Sequence, residues 1–174
     1  LYSQFQSRYP DYLWIAEGGQ GEPGVQGAAE IGKLFDLRSY HYLFCAVGTG
    51  TMLAGLVRSA HPGQIVAGIP VLKIPDLEQS DLAKTIRKFS NGGEVRLLGE
   101  FHGGGYARIH AGLLDFMNKW WDQYRIETDF VYTAKLFQAI ETLAQSDYFP
   151  AGSRILAIHS GGLQGNRSLP AGSL

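Results

Sequence analysis

Two kinds of hydrophobic pattern alternate along the chain and predict alternating strands and helices. Short apolar runs indicate buried strands, and apolar positions three or four residues apart indicate helices with one buried face. Such a chain forms a mostly parallel sheet covered by helices on both faces, a three-layer α/β/α fold. The predicted strands are 11–16, 41–47, 64–72, 94–101 and 153–162, and the predicted helices are 1–9, 25–35, 51–60, 76–89 (with Asp76 as N-cap), 111–124 and 132–145.

Glycine-rich loops occur at residues 17–24, 48–51 and 160–162, next to the predicted strands. In open parallel sheets, ligands bind beyond the carboxyl ends of the strands. The three loops are therefore expected to form one ligand site at that edge of the sheet.

The loop Gly48-Thr49-Gly50-Thr51 joins an apolar run directly to a predicted helix. The start of a helix has unpaired N–H groups and a partial positive charge, and threonine hydroxyls add hydrogen-bond donors. Neither a P-loop lysine nor the third glycine of a dinucleotide fingerprint is present, because Leu53 occupies that glycine position. The loop therefore suits a single phosphate, although a tight turn without a ligand explains the glycines equally well.

Composition narrows the classes of protein that fit. The 174 residues suffice for one domain with a core, and the formal net charge of −1 favours neither nucleic acid nor an anionic membrane as partner. The single cysteine, Cys45, excludes an internal disulfide and fits a cytoplasmic location. No apolar run approaches the roughly 18 residues of a membrane span, no signal peptide is visible, and no cluster suggests a metal site.

Four other residues stand where chemistry is possible. Tyr106 follows three glycines, Tyr132 and Thr133 begin a predicted helix, and Ser160 follows the strand-ending His159. Each of these placements, taken alone, is more often a capping, packing or ordinary surface arrangement than a functional site.

Five segments, in this order and spacing, resemble the 1-aminocyclopropane-1-carboxylate (ACC) deaminase/D-cysteine desulfhydrase family. Members of that family depend on pyridoxal 5'-phosphate (PLP) and have the tryptophan synthase β-like fold, PLP fold type II. The resemblance extends over about residues 12–165. The matching segments are IAEGGQGEPGVQGAAEI (15–31), CAVGTGTMLAGL (45–56), GGGYARIHAGLLDF (103–116), DFVYTAK (129–135) and FPAGSRILAIHSGGLQG (149–165).

The resemblance implies a role for each candidate residue. The loop 48–51 would hold the PLP phosphate through backbone amides and hydroxyls. Tyr132 matches an active-site tyrosine near the cofactor ring and the substrate, and Tyr106 matches a second tyrosine that closes on the substrate. Thr133 would face the pyridine nitrogen, and Ser160 would lie close to the ring.

Two of these positions bear on the substrate, a small amino acid. Deaminases of the family carry Glu after the motif tyrosine and Leu after the strand-ending histidine, whereas desulfhydrase-like members carry Thr at both. This chain has Thr133 and Ser160 there. A neutral hydroxyl beside the pyridine nitrogen leaves the ring less electrophilic than a carboxylate does. The resemblance therefore favours a D-cysteine desulfhydrase-like β-elimination over an ACC deaminase-like ring opening.

The family's Schiff-base lysine, and a Ser/Asn loop that binds the ring, belong to an N-terminal segment that nothing in this chain matches. The simplest interpretation is a C-terminal portion of a longer enzyme, with an incomplete fold and no activity by itself. Residues 1–16 would end the small domain and form a linking strand, residues 17–165 would form most of the large phosphate-binding domain, and residues 166–174 a loose tail. The family also implies a homodimer.

Two alternatives stay open. The first is a non-catalytic α/β domain that binds a phosphorylated metabolite, and the second is a plain scaffold whose glycine turns hold nothing; both rank behind the enzyme.

Overall fold

Four strands pair in parallel to form one sheet in the computed structural model, which describes residues 2–174. The spatial order is β3-β2-β1-β4. The central strand β1 is buried along its whole length, as a strand covered on both faces must be. The strands are β1 (Tyr42–Val47), β2 (Ile65–Pro70), β3 (Arg96–Leu97) and β4 (Ile155–Ile158).

Six α-helices flank or extend this sheet in the described part of the chain, and short 3₁₀ turns join several of them. Each of the four strands lies within its predicted range. The helices are α1 (Tyr2–Arg8), α2 (Glu22–Ala29), α3 (Thr51–Ser59), α4 (Asp81–Phe89), α5 (Ala111–Tyr124) and α6 (Thr133–Gln145).

Alternate side chains of β1 enter two separate cores. Leu43 and Val47 pack with residues of α3 and α4 on one face of the sheet. Phe44 and Ala46 pack with residues of α6 on the other. The predicted three-layer α/β/α architecture is therefore confirmed, since the period-two alternation of a strand sends its neighbours to opposite layers.

An ion pair holds α2 against α3 beside the sheet. The guanidinium of Arg58 donates to both carboxylate oxygens of Glu22, at 2.5 and 2.8 Å. This donation lowers the pKa of the Glu22 carboxyl. Because the loop 17–21 leads directly into α2, the pair also limits where that loop can lie.

The predicted buried strand at 11–16 is wrong. This segment is not a strand, and Tyr12, Leu13 and Ile15 are 68%, 89% and 75% exposed. A strand needs a hydrogen-bonded neighbour, and no strand of the described residues pairs with this segment. Local apolar content alone therefore does not make it part of the sheet.

The predicted N-cap at Asp76 is also wrong. Helix α4 begins at Asp81, and the Ser80 hydroxyl accepts a hydrogen bond from the N–H of Ala83 at 3.2 Å. Ser80 has the extended backbone that an N-cap requires, whereas Asp76 has a φ of 46° and precedes a short 3₁₀ turn.

Predicted elements at the sheet edges are shorter in the structure. The strand expected at 94–101 is reduced to Arg96–Leu97, and the strand expected at 153–162 to Ile155–Ile158. Both pair on one side only, so fewer hydrogen bonds extend them. The helix expected at 25–35 ends as an α-helix at Ala29 and continues as a 3₁₀ turn.

The beginning of the expected loose tail makes defined contacts. Residues Leu163–Ser168 form a 3₁₀ helix. The Asn166 side chain donates to the carbonyl of Thr128 at 2.9 Å and accepts from the N–H of Phe130 at 3.3 Å. The domain boundaries expected from the sequence stay a prediction.

Candidate functional site

A cavity of about 920 Å³ opens beyond the carboxyl end of β1. It is lined by residues of all three glycine loops, together with Tyr106 and Tyr132. The loop residues are Glu17, Gly18, Gln20, 48–51 and 160–162. The first turn of α4 closes one side. The parallel topology thus brings together segments that are more than a hundred residues apart in the chain.

The loop between β1 and α3 presents hydrogen-bond donors to this cavity. Helix α3 begins at Thr51, and no side chain caps its first N–H groups. These groups have no partner within the helix and carry its partial positive charge. The hydroxyls of Thr49 and Thr51 lie 3.1 Å apart beside them. The loop can therefore surround a small anion.

Glycine is required at Gly50 of this loop, and at Gly48 it leaves room for the Tyr132 ring. Gly50 has a φ of 85°, and a Cβ there would lie 2.4 Å from Cγ1 of Ile86. A Cβ at Gly48 would lie 3.3 Å from the Tyr132 ring. Larger residues would displace the backbone or the tyrosine, so the shape of the loop 48–51 depends on the absence of side chains at these positions.

The charged groups that line the cavity are acidic. Glu17 and Asp81 belong to the lining, and no lysine or arginine of residues 2–174 does. An anion bound here is consequently held by neutral hydroxyls and by the helix terminus rather than by a cation.

Tyr106 and Tyr132 form an edge-to-face pair at the cavity. Their ring centroids are 6.1 Å apart, with an interplanar angle of 76°. Tyr106 is 56% exposed, whereas Tyr132 is half-buried. Burial, followed by the hydroxyl of Tyr106, raises the pKa of Tyr132 to about 12. Tyr132 therefore stays protonated at neutral pH and can donate a hydrogen bond.

We expect a phenol that ionises near pH 12 in an alkaline titration followed by ultraviolet absorbance. That step should disappear in Tyr132→Phe and persist in Tyr12→Phe. Because the pKa of Tyr132 is raised above its ordinary value of 10, its contribution to stability is complete below pH 10. This contribution is lost as the pH rises from 10 to about 12. A step near pH 12 that survives in Tyr132→Phe would contradict the assignment.

Asp129 organises the start of α6, and the sequence analysis did not single it out. Its carboxylate is buried and accepts from the N–H groups of Val131, Tyr132 and Thr133 at 2.8–2.9 Å. It also accepts from the Thr133 hydroxyl at 2.7 Å. A carboxylate just before an apolar helix is a recognisable capping pattern, so this residue could have been found. Asp129 fixes the backbone that carries Tyr132.

The two remaining candidate residues are placed differently. Ser160 is exposed and lines the cavity. Thr133 is fully buried, and its hydroxyl donates to Asp129 and accepts from the N–H of Asp129. Thr133 is not part of the cavity lining. Its role toward a pyridine nitrogen stays a prediction.

Two other reactive residue types have structural roles. Burial raises the pKa of the Cys45 thiol to about 12, so this thiol is not a nucleophile at neutral pH. The His159 ring contacts the carbonyl of Glu127 at 2.7 Å and accepts from the N–H of Gly161.

Two other kinds of feature are absent from the residues that the structure describes. Residues 2–174 contain no group of three or more His, Cys, Asp or Glu side chains able to hold a metal ion. Across the same residues, no helix has the length and apolar character needed to span a membrane.

Solved structures include a close match to this fold. The chain superposes on a crystal structure described as an ACC deaminase homologue with a TM-score of 0.74 and 22% sequence identity. The match covers 95% of this chain but 55% of the other, so this chain spans about half the length of that neighbour. Neither a protein-family model nor a curated protein sequence matches the chain. The predicted fold is confirmed: the chain has the α/β fold of an ACC deaminase homologue.

Proposed function

We propose that this chain belongs to a PLP-dependent enzyme that acts on small amino acids as a lyase or deaminase. The observation that carries the proposal is the glycine–threonine loop at the start of α3, which opens into the cavity beside Tyr106 and Tyr132. The fold shared with an ACC deaminase homologue supports it.

The residues present fit the phosphate group of PLP. Uncapped N–H groups at Thr51 and the paired hydroxyls of Thr49 and Thr51 suit an anion with several acceptor oxygens. Gly48 and Gly50 leave room for its close approach. When bound, PLP supplies an electron sink for negative charge at the substrate α-carbon. Ser160, which also lines the cavity, is the candidate neighbour of the ring.

The two tyrosines would orient the substrate. Tyr132 holds its proton at neutral pH, so it is proposed as a hydrogen-bond donor rather than a base. Tyr106 is exposed on a glycine loop and can cover a substrate once it is bound. The carboxylate of Glu17 in the same lining favours a substrate that carries an ammonium group.

We favour a D-cysteine desulfhydrase-like β-elimination, with an ACC deaminase-like reaction second. Thr133 and Ser160 are neutral residues at the two positions that distinguish these activities in the resembling family. A good leaving group such as a thiolate makes smaller demands on electron withdrawal by the ring than cyclopropane opening does.

None of the six lysines of the chain lines the cavity. This chain covers 55% of the solved neighbour, and we place the cofactor-bearing lysine in the part that it does not cover. The activity proposed is that of the whole protein. The homodimer and the cytoplasmic location stay predictions.

The lysine-free lining favours one second candidate, a non-catalytic domain that binds a phosphorylated metabolite. The deciding experiment uses the whole protein, with PLP binding measured by dialysis and products assayed from D-cysteine and ACC. Sulfide and pyruvate would establish the desulfhydrase, and 2-oxobutyrate the deaminase. PLP binding without product would favour the second candidate. Absence of PLP binding would overturn the proposed enzyme, and absence of inorganic phosphate binding as well would overturn the second candidate.

We expect the double variant Thr49→Ala/Thr51→Ala to weaken PLP binding about tenfold or more, because it removes two hydroxyl donors to a charged group. The matched control, Thr142→Ala, changes an exposed helix threonine and should bind PLP normally. Pyridoxal, which lacks the phosphate, should bind equally to the double variant and the unchanged protein. An equal loss for both compounds would place the phosphate elsewhere.

A further inference from the structure

Lys135 is a buried cation that the proposed chemistry does not use. It lies in the first turn of α6 with 1% of its surface exposed. Its ammonium donates to the carbonyl of Gly105 at 2.6 Å. Burial lowers the pKa of the Lys135 ammonium. Leucine or methionine would fill the same apolar volume without the free-energy cost of burying an ammonium. The contact to Gly105 is therefore the feature that distinguishes lysine from an apolar residue here.

The segment that Lys135 contacts has an unusual freedom of backbone. Gly103, Gly104 and Gly105 all have positive φ, at 62°, 89° and 119°, and Ala107 has a φ of 51°. Three successive glycines with such angles have many alternative conformations. Some external contact must therefore select the one in which Tyr106 lies beside the cavity.

The hydrogen bonds within this glycine loop, residues 102–108, do not tie it to the rest of the fold. Gly104 N–H donates to the His102 ring, Gly105 N–H to the His102 carbonyl, and Arg108 N–H to the Gly105 carbonyl. Among the hydrogen bonds described for the backbone of residues 103–108, the one from Lys135 is the bond that reaches outside the loop. The Lys135 stem also packs under the loop, since a Cβ at Gly103 would lie 3.1 Å from its Cε.

Helix α6 links this contact to the cavity. Its first turn carries Lys135, and Tyr132 immediately precedes it. The Tyr132 ring in turn meets the ring of Tyr106 edge to face. The same rigid turn therefore contacts the glycine loop twice, once through the ammonium and once through the phenol.

We propose that Lys135 is a positioning residue: its ammonium fixes the glycine loop so that Tyr106 is held against Tyr132 over the cavity. Lys135 acts through Tyr106 and does not touch the ligand. The placement of the loop is independent of the proposed function, whereas its consequence for a substrate rests on that function.

The first test measures loop opening in the full chain by limited trypsin digestion. The exposed Arg108 supplies a cleavage site within the loop, and mass spectrometry identifies the cut after it. Lys135→Met is expected to increase the rate of this cut about tenfold or more, as loss of a charge-assisted hydrogen bond would. Lys119→Met, at an exposed position on α5, is the matched control and should leave the rate unchanged.

Lys135→Gln keeps a side-chain donor and is expected to fall between Lys135→Met and the unchanged protein. It also carries the comparison if Lys135→Met fails to fold, which circular dichroism would reveal. Cleavage after Arg108 at the same rate in every folded Lys135 variant would overturn the proposal.

The second test follows Tyr106 itself, with 3-fluorotyrosine incorporated at position 106 and observed by fluorine NMR. Release of the loop should move its resonance toward that of free fluorotyrosine in Lys135→Met but not in Lys119→Met. In the whole enzyme the KM for D-cysteine should rise more than kcat falls. Changes in cleavage and resonance without any PLP binding would uphold the positioning role while the proposed function fails. An unmoved resonance would overturn the role even in an active enzyme.

Discussion

Asp129→Ala is expected to lower the free energy of unfolding by about 4 kcal/mol, because it leaves buried donors without an acceptor. The Asp129 carboxylate accepts from three backbone N–H groups and from the Thr133 hydroxyl, all at 2.7–2.9 Å. Alanine offers these groups nothing, and their burial keeps water from replacing the carboxylate. Urea unfolding monitored by circular dichroism measures the change.

Two further variants separate the role of the Asp129 carboxylate from the general effect of removing an acidic residue. Asp115→Ala removes an exposed carboxylate from α5 and should change stability by less than about 0.5 kcal/mol. Asp129→Asn keeps one acceptor oxygen but turns an amide donor toward other donors, so it should recover only part of the loss. A change below about 1 kcal/mol for Asp129→Ala would show that the turn does not depend on this carboxylate.

Gly50→Ala is expected to be the most damaging single change in the loop 48–51. The new Cβ would lie 2.4 Å from Cγ1 of Ile86, and the residue would keep a left-handed backbone with a φ of 85°. Strain and overlap together should cost about 3 kcal/mol. The displaced loop should also weaken PLP binding by more than about tenfold, because the donors at the start of α3 move with it. Urea unfolding and dialysis measure the two effects.

Gly63→Ala separates the two contributions. Gly63 has a φ of 87°, nearly the same as Gly50, but no atom lies within 4 Å of its added Cβ. It should therefore show only the backbone cost, about 1 kcal/mol, and normal PLP binding. If Gly50→Ala lost stability while PLP affinity stayed unchanged, the loop would be a scaffold turn and the proposed function would lose its main support.

The elements that could be predicted were those whose own sequence pattern is complete. Helix α5 occupies the predicted range, Ala111–Tyr124, because its apolar positions recur at helical spacing over its full length. Strand β1 matches its predicted range to within one residue, beginning at Tyr42. It could be predicted because a continuous apolar run that ends in glycine is typical of a buried strand. Segment 11–16 has comparable apolar content yet is not a strand, because pairing depends on neighbours that local sequence does not describe.

The candidate site also has a part that could be predicted from the sequence and a part that could not. The order of strands, helices and glycine loops already predicts a parallel sheet with ligand-binding turns at one edge, because βα connections force that edge to collect them. Thr133 and Lys135 show the limit of such reasoning. Only the tertiary structure shows that the Thr133 hydroxyl is engaged by Asp129 and that the Lys135 ammonium reaches Gly105 thirty residues earlier.

By itself, then, the sequence of this protein determined its layers, its parallel sheet and the loop suited to a phosphate. These features depend on periodicity and on residue types that are adjacent in the chain. The tertiary structure alone decided which side chains line the cavity and which instead cap a helix or hold a loop. Such contacts join residues that are distant in sequence, and burial allows few partners for each polar group, so the partner can be read only once the chain is folded.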